Sequence, residues 1–281
     1  MSLIKAEVRK TLRALKVYPK KRWSQSFLID SAIRERLVDA TGVRAGDSVL
    51  EIGAGTGILT ERLAERGATV VAIEKDRAFA RHLEERFAGN MRVRVVQADF
   101  LDCDLAELVS PAALAIGNLP YHITTPILFQ LLKFRALFKS VWLTMQREVA
   151  ERIAAQPGNK DYGVLTLSLG VWFEARTLFT IPARAFYPAP QVESAFVKLA
   201  PLPEPRVSQQ DLDSFRLVVR TAFQHRRKRI DNALSGLFAP AFKKGDIQKF
   251  LQNLGMDSGK RPEELSLVEY SVLARAFKAL S

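Results

Sequence analysis

The sequence predicts an α/β protein in which a doubly wound, largely parallel sheet is followed by a smaller domain made only of helices. Short apolar runs alternate with amphipathic stretches through the first half of the chain. A glycine-rich turn directly follows the first of these runs, and the last quarter of the chain has helical periodicity throughout. This alternation is typical of strands that are buried in a parallel sheet and joined by helices.

The predicted elements begin with a helix over residues 31–40, where apolar residues recur at Ile33, Leu37 and Val38. Strands are then predicted over 48–52, 69–73, 93–96, 112–116 and 141–145, with helices over 58–66 and 77–87. The apolar runs 164–173 and 195–199 have no clear helix between them. We therefore expect them to form an antiparallel pair at the edge of the sheet.

A proline-rich segment, 201–205, predicts the boundary between the two domains, because repeated prolines stiffen and interrupt the chain. Beyond it, helices are predicted over 212–223, 230–237, 247–254 and 267–280. The predicted organisation is therefore a basic N-terminal arm (1–22), a main domain (23–205) and a helical domain (206–281).

The composition excludes several classes of protein. Of the 281 residues, 48% are hydrophobic, which excludes a disordered or collagen-like chain. Cys103 is the single cysteine, so neither an internal disulfide nor a cysteine-based zinc site can form, and a reducing compartment is the simplest interpretation. The apolar runs are far shorter than the roughly 20 residues that a membrane helix needs. We expect a cytoplasmic protein without a membrane span.

The net charge of +12 lies at the two ends of the chain. Residues 1–22 carry eight Lys and Arg against one acid, residues 206–281 carry fourteen against eight, and the stretch between them holds 20 against 21. One basic tail could serve solubility alone, but two separate basic segments favour a polyanionic partner. The candidate phosphate-binding residues are Lys20, Lys21, Arg22, Arg226, Arg227, Lys228 and Arg229.

The glycine-rich turn contains Gly53, Gly55 and Gly57, and Glu74 ends the next predicted strand. Glycines at this place let the backbone approach a ligand at the carboxyl ends of parallel strands, and an acid on the neighbouring strand can bind both hydroxyls of a ribose. A nucleoside-containing cofactor is therefore predicted. The dinucleotide fingerprint G-x-G-x-x-G is the alternative, but it fails because Ile58 stands where the third glycine would be needed.

With Glu51 in front of it, the turn resembles motif I of S-adenosylmethionine-dependent class I methyltransferases. This resemblance implies a Rossmann-like sheet and S-adenosylmethionine as the cofactor. It also implies that Gly53 and Gly55 approach the amino-acid part of the cofactor, Glu74 its ribose and Asp99 the exocyclic amine of its adenine.

The tetrapeptide Asn118-Leu119-Pro120-Tyr121 follows the fourth predicted strand. An exocyclic amine on a purine is a poor nucleophile because its lone pair is delocalised into the ring. The Asn118 side-chain oxygen and the Leu119 carbonyl could accept the two N–H bonds while the nitrogen becomes tetrahedral. Pro120 stiffens the turn and Tyr121 can stack on the base, so catalysis would rest on positioning and electrostatics. Tetrapeptides of this type are shared by amino-methyltransferases that act on nucleic-acid bases.

Three further segments resemble motifs of the KsgA family of bacterial small-subunit (16S) ribosomal RNA adenine N6,N6-dimethyltransferases. They cover residues 20–30, 186–195 and 223–232. The resemblance implies that Gln25 and Leu28 also belong to the cofactor pocket, together with Asn118. Ser24 and Ser26 depart from the family pattern, which has Gly and Asn there, so the cofactor contact of Ser26 is open.

The resemblance also implies the substrate: N6 of two adjacent adenosines near the 3′ end of small-subunit ribosomal RNA, within an immature 30S particle. Phe186 is expected to form the second wall of the base pocket, opposite Tyr121. The alternatives are an Erm-type methyltransferase acting on large-subunit RNA, which confers macrolide resistance, and a mainly non-catalytic assembly factor. We expect no metal site, because His82, His122 and His225 are too scattered along the chain to form one. We also expect a monomer.

Overall fold

The computed structural model describes residues 3–16, 26–238, 242 and 245–280. Contacts between Cα atoms divide the chain into two units. The first comprises Met1–Ala150 and Arg176–Pro201, and the second comprises Glu151–Ala175 and Leu202–Ser281. The second unit thus differs from the predicted helical domain, because it also takes in residues 151–175.

The first unit is built on an α/β sheet. Its elements are α1 (Leu3–Ala14), β1 (Phe27–Leu28), α2 (Ser31–Thr41), β2 (Ser48–Ile52), α3 (Ile58–Glu65), β3 (Thr69–Glu74), α4 (Arg77–Arg86), β4 (Val93–Gln97), β5 (Ala113–Asn118), α5 (Thr124–Lys133) and β6 (Phe138–Gln146). Further along the chain lie α6 (Arg147–Ile153), α7 (Val164–Gly170), β7 (Phe173–Ile181), β8 (Phe186–Tyr187) and β9 (Ser194–Pro201). Of these, helix α7 belongs to the second unit.

Seven strands form the main sheet in the order β4-β3-β2-β5-β6-β9-β7. The pairings among β4, β3, β2, β5 and β6 are parallel, and β9 runs antiparallel to β6. The order reverses at β2, so the carboxyl ends of β2 and β5 meet at the place where such sheets bind ligands. This confirms the predicted doubly wound fold.

The predicted strand over 164–173 is wrong, because residues Val164–Gly170 form helix α7. An apolar run cannot by itself distinguish a buried strand from a buried helix, and here local hydrogen bonds favour the helix. The Thr166 hydroxyl accepts a hydrogen bond from Gly163 N (3.1 Å) and donates one to Arg152 O (2.6 Å). The strand at this end of the sheet is β7, whose alternation of exposed and buried residues is weak.

The second unit has its own hydrophobic core. Its helices are α8 (Leu212–Gln224), α9 (Ile230–Ala233), α10 (Ser235–Phe238), α11 (Asp246–Asn253) and α12 (Leu267–Leu280), so the predicted helix over 230–237 is two short helices. Tyr270, Phe238 and Leu273 are almost fully buried among them. None of the helices in the described part of the chain combines the length and hydropathy needed to cross a bilayer.

Candidate active site

The glycine-rich turn between β2 and α3 exposes its backbone to a cavity of about 660 Å³. Gly53 has a φ of +71°, and a Cβ placed there would meet no atom within 4 Å, so this residue leaves open space beside the turn. At Gly55, with a φ of +55°, a Cβ would lie 3.3 Å from Cε1 of Phe27. A side chain at either position would be strained, and at Gly55 it would also crowd the Phe27 ring.

Glu74 holds the turn from the end of the neighbouring strand β3. Its Oε2 accepts a hydrogen bond from Gly55 N and its Oε1 accepts one from Asp76 N, both at 2.8 Å. The side chain is buried, and burial raises the pKa of Glu74 although the backbone donors oppose the shift. Since a carboxylate has about four lone-pair sites, Glu74 keeps the capacity to accept hydrogen bonds from a ligand.

Glu51 lies on β2 and is 2% exposed. Its Oε2 accepts a hydrogen bond of 2.6 Å from the Thr60 hydroxyl. Burial raises the pKa of Glu51 to about 8, and the nearby Glu74 carboxylate acts in the same direction. The cavity therefore contains two acidic side chains whose ionised forms a cationic ligand would stabilise.

Asp99 follows β4, and its Oδ1 accepts a hydrogen bond of 3.1 Å from Leu101 N. Its Oδ2 forms an ion pair with the Lys75 ammonium. Burial is the largest single influence and acts to raise the pKa of Asp99, but the hydrogen bonds from Lys75 and Leu101 N and the Lys75 charge together outweigh it, so the pKa is lowered. The carboxylate thus stays ionised, and a ligand amine would have to share or replace the Lys75 contact.

The Asn118 side chain is oriented by a backbone carbonyl. Asn118 ends β5, and its Nδ2 donates a hydrogen bond of 3.1 Å to Ser26 O. Because the nitrogen is used in this way, the side-chain oxygen lies on the other side of the carboxamide group, where it is available as an acceptor. Leu119 is anchored by a hydrogen bond from its N–H to Thr144 O (3.1 Å), and Pro120 is extended, with φ −61° and ψ 127°.

Tyr121 and Phe186, the two predicted walls of the base pocket, have different environments. Tyr121 lines the cavity, and its hydroxyl forms a hydrogen bond of 2.7 Å with Ser194 Oγ. Burial raises the pKa of Tyr121, with the Ser194 contact opposing the shift. Phe186 is 3% exposed within the core and is not among the residues that line the cavity. Its pairing with Leu28 across β1 and β8 places it there, so the structure does not give it the predicted role as a wall.

The structure therefore brings most of the predicted site residues to one cavity. Those that line it are Ser26, Leu28, Glu51, Gly53, Gly55, Glu74, Asp99, Asn118, Leu119, Pro120 and Tyr121. Gln25 lies outside the described residues. Lining residues that the sequence analysis missed include Phe27, Lys75, Phe79 and His122. Lys75 and His122 could have been predicted to line the cavity because they are adjacent in sequence to Glu74 and Tyr121. The position of Phe79 at the cavity, in contrast, depends on tertiary packing.

The predicted phosphate-binding residues are not equivalent. Arg227, Lys228 and Arg229 are exposed, and Arg229 forms an ion pair of 2.9 Å with Asp231. Arg226 instead forms an ion pair with Glu263 and donates a hydrogen bond to Lys160 O, which indicates a structural role within the helical unit. Lys20, Lys21 and Arg22 lie outside the described residues.

Comparison with known proteins identifies the family. The sequence profile described as "Ribosomal RNA adenine dimethylase" matches residues 18–274. The chain belongs to the ribosomal RNA adenine dimethylase family. It is 40% identical to a protein of Magnetococcus marinus named ribosomal RNA small subunit methyltransferase A, over 91% of each chain. It is also 40% identical to the protein of that name from Moorella thermoacetica, over 92% of this chain and 93% of the other.

Solved structures lead to the same family. The structure of a dimethyladenosine transferase from Plasmodium falciparum superposes on this chain with a TM-score of 0.76 and 25% sequence identity. The match covers 90% of this chain and 98% of the transferase. The structure of the 23S rRNA methyltransferase ErmE matches with a TM-score of 0.69 and 26% sequence identity, over 90% of this chain and 99% of ErmE. The predicted class I methyltransferase fold is thereby confirmed.

The cavity fits the cofactor of this family, S-adenosylmethionine. The open backbone at Gly53 leaves room for a ligand beside the turn, Glu74 has free lone pairs for the ribose hydroxyls, and Glu51 provides a buried acid for a cationic ligand. The cofactor supplies an electrophilic methyl group when bound. The chain is thus an S-adenosylmethionine-dependent adenine methyltransferase, as the motifs predicted.

Proposed function

We propose that this enzyme dimethylates N6 of two adjacent adenosines near the 3′ end of small-subunit ribosomal RNA, in an immature 30S particle in the cytoplasm. The observation that carries this proposal is the orientation of Asn118, whose amide nitrogen is held by Ser26 O at 3.1 Å. Two relatives that are 40% identical to this chain are named ribosomal RNA small subunit methyltransferase A, whereas the 23S rRNA methyltransferase ErmE is 26% identical to it. These comparisons favour the small subunit over the large one.

The chain's residues position the target amine and stabilise its developing charge. The Asn118 side-chain oxygen and the Leu119 carbonyl accept its two N–H bonds, so that the nitrogen lone pair leaves conjugation with the ring. This is stabilisation by preorganised dipoles, and it needs no general base before transfer. After the first methylation N6 keeps one N–H, so a single acceptor is enough to orient it for the second.

The target base must leave its stack to reach Tyr121, whose ring lines the cavity. Its hydroxyl bond to Ser194 fixes the ring, so stacking need not order a mobile side chain. Two methyl groups on each of two adenosines mean that a full cycle consumes four cofactor molecules. We further propose that the exposed residues Arg227 and Lys228 contact RNA phosphates, and that the enzyme acts as a monomer.

Mass spectrometry of RNA after incubation with the enzyme and isotope-labelled cofactor tests this proposal. Immature small subunits and naked large-subunit RNA are offered in parallel. We expect two adjacent N6,N6-dimethyladenosines in the small-subunit RNA. Methylation confined to the large-subunit RNA would show that the enzyme is of the Erm type.

Asn118→Ala distinguishes an enzyme from an assembly factor without essential catalysis. Removing one preorganised acceptor should lower kcat by a factor of about 10²–10³ while particle binding is retained. Asn90→Ala, in an exposed loop of the same unit, serves as the matched control and should leave kcat unchanged. Unchanged methylation by Asn118→Ala would contradict the acceptor role.

A further inference from the structure

Helix α1 buries a complete apolar face although it lies outside residues 18–274, the part of the chain that the family profile matches. Ile4, Val8 and Leu12 recur at intervals of four and are 5%, 0% and 5% exposed. This spacing places them on one side of the helix. A basic arm that served only to bind RNA would not need such a buried stripe.

The partners of this face are residues of the cavity wall. Ile4, Val8 and Leu12 form one cluster with Ile29, Ile58 and Phe79, and Phe27 packs against that cluster. Phe27, Ile58 and Phe79 line the cavity, and the rings of Phe27 and Phe79 lie 5.2 Å apart. Helix α1 therefore supports the outer side of this wall.

A polar contact connects α1 to the glycine-rich turn. The Glu7 carboxylate forms an ion pair of 2.6 Å with Arg86 on α4. Arg86 also donates a hydrogen bond of 3.0 Å to Thr56 O in the turn and pairs with Glu61 at 2.8 Å. The Arg86 side chain is 16% exposed, whereas the side chains of its partners Glu7 and Glu61 are 39% and 34% exposed, so the arrangement is only partly shielded from solvent.

The same cluster anchors the segment that orients the catalytic side chain. Ile29 belongs to the cluster, and its N–H donates a hydrogen bond of 2.8 Å to Ala185 O. Three residues earlier, Ser26 O accepts the hydrogen bond from Asn118. Packing against α1 thus restricts the short segment 26–29, and with it the direction of the Asn118 side-chain oxygen.

We propose that helix α1 is a positioning element of this methyltransferase, which holds the cavity wall and the Ser26 carbonyl that orients Asn118. Its kinetic test rests on the proposed function, but its binding test requires the cofactor site alone. Val8 is the residue through which the helix acts most directly, since it lies at the centre of the buried stripe.

The test compares Val8→Asp with Ala6→Asp in the full chain. Both substitutions add one negative charge to the same helix, but Val8 is fully buried and Ala6 is exposed. Binding of S-adenosylhomocysteine is measured by calorimetry. We expect Val8→Asp to weaken binding about tenfold or more, because a buried charge displaces the helix from the wall, and Ala6→Asp to stay within about twofold of the wild type. Equal affinities of the two variants would overturn the proposal.

A double-mutant cycle with Asn118→Ala shows whether α1 acts through Asn118. At saturating cofactor, Val8→Asp should lower kcat in the wild-type background and have little further effect when Asn118 is already alanine. Losses that multiply would refute the link to Asn118. If Val8→Asp fails to fold, as judged by circular dichroism, Val8→Ala takes its place, with Val8→Ile expected to restore wild-type values.

The two proposals can fail separately. A chain that binds S-adenosylhomocysteine with the expected difference between Val8→Asp and Ala6→Asp, but methylates neither RNA, supports the role of α1 in the cofactor site and contradicts the proposed function. A chain that dimethylates small-subunit RNA while Val8→Asp and Ala6→Asp behave alike contradicts only the role of α1.

Discussion

The buried carboxyl of Glu51 makes the stability of this enzyme depend on pH in a predictable way. Glu51 is 2% exposed, and its hydrogen bond from Thr60 does not offset the loss of hydration. Glu51→Gln is the informative perturbation, because glutamine has nearly the same shape, keeps an acceptor for the Thr60 hydroxyl and cannot ionise.

The magnitude follows from the pKa of Glu51, which rises from an ordinary value of 4.5 to about 8 in the folded chain. Between these values the folded state keeps a proton that the unfolded state has released. Protonation of Glu51 therefore stabilises the folded state. This stabilisation is fully present below pH 4.5 and is lost as the pH rises toward 8. The loss is about 1.4 kcal/mol per pH unit, which reaches about 3 kcal/mol at pH 7 and between about 4 and 5 kcal/mol above pH 8.

The assay is urea denaturation of the ligand-free wild type and Glu51→Gln between pH 4 and 9. We expect similar free energies of unfolding near pH 4.5 and a growing advantage of Glu51→Gln at higher pH, with the magnitudes above. Glu84→Gln, an exposed position on α4, is the control and should follow the wild type at every pH. A difference between Glu51→Gln and the wild type that does not change with pH, or a variant less stable at pH 8, would refute the reasoning.

Two further predictions concern the base pocket and the helical unit. Tyr121→Phe keeps the ring but loses the bond to the buried Ser194 that holds it, so we expect stability to fall by about 1 kcal/mol and kcat/KM to fall only slightly. Tyr121→Ala removes the ring and should lower kcat/KM roughly 10- to 100-fold. Equal kinetic losses in both variants would argue against stacking. Arg226→Ala loses the bonds to Glu263 and Lys160 O and should lower the free energy of unfolding by about 1–3 kcal/mol. Arg227→Ala should leave stability unchanged. It should instead reduce the slope of the logarithm of RNA affinity against the logarithm of salt concentration by about 0.7–0.9. Thermal melts and titrations at several salt concentrations check this pair, and a stable Arg226→Ala would contradict the structural role of that residue.

Local chemistry made much of the site predictable. Gly53, Glu74 and Asn118 each come at the end of a strand, and parallel strands bring their carboxyl ends to one edge of the sheet. Their convergence on one cavity therefore followed from the order of the elements, before any side-chain contact was known.

Three features could not be predicted in this way. The apolar run 164–173 could be buried either as a helix or as a strand. A hydrogen bond from Thr166 to Arg152 O, fourteen positions earlier, helps to stabilise the helix. Phe186 has an aromatic ring of the kind that stacks on bases, but its pairing with Leu28 buries it in the core. Arg226 belongs to a basic run, and only the nearness of Glu263 distinguishes it from Arg227.

The α/β sheet, the glycine-rich turn, the acids at the ends of the strands and the tetrapeptide typical of amino-methyltransferases could all be predicted from the amino-acid sequence. These depend on residue types at fixed short spacings, where neighbouring residues constrain one another directly. Three other properties became known only from the folded chain: the face of α1 that is buried, the atom of Asn118 that Ser26 holds, and the rise in the pKa of Glu51. Burial and hydrogen bonding between distant segments set these properties, because they depend on which groups the folded chain removes from water.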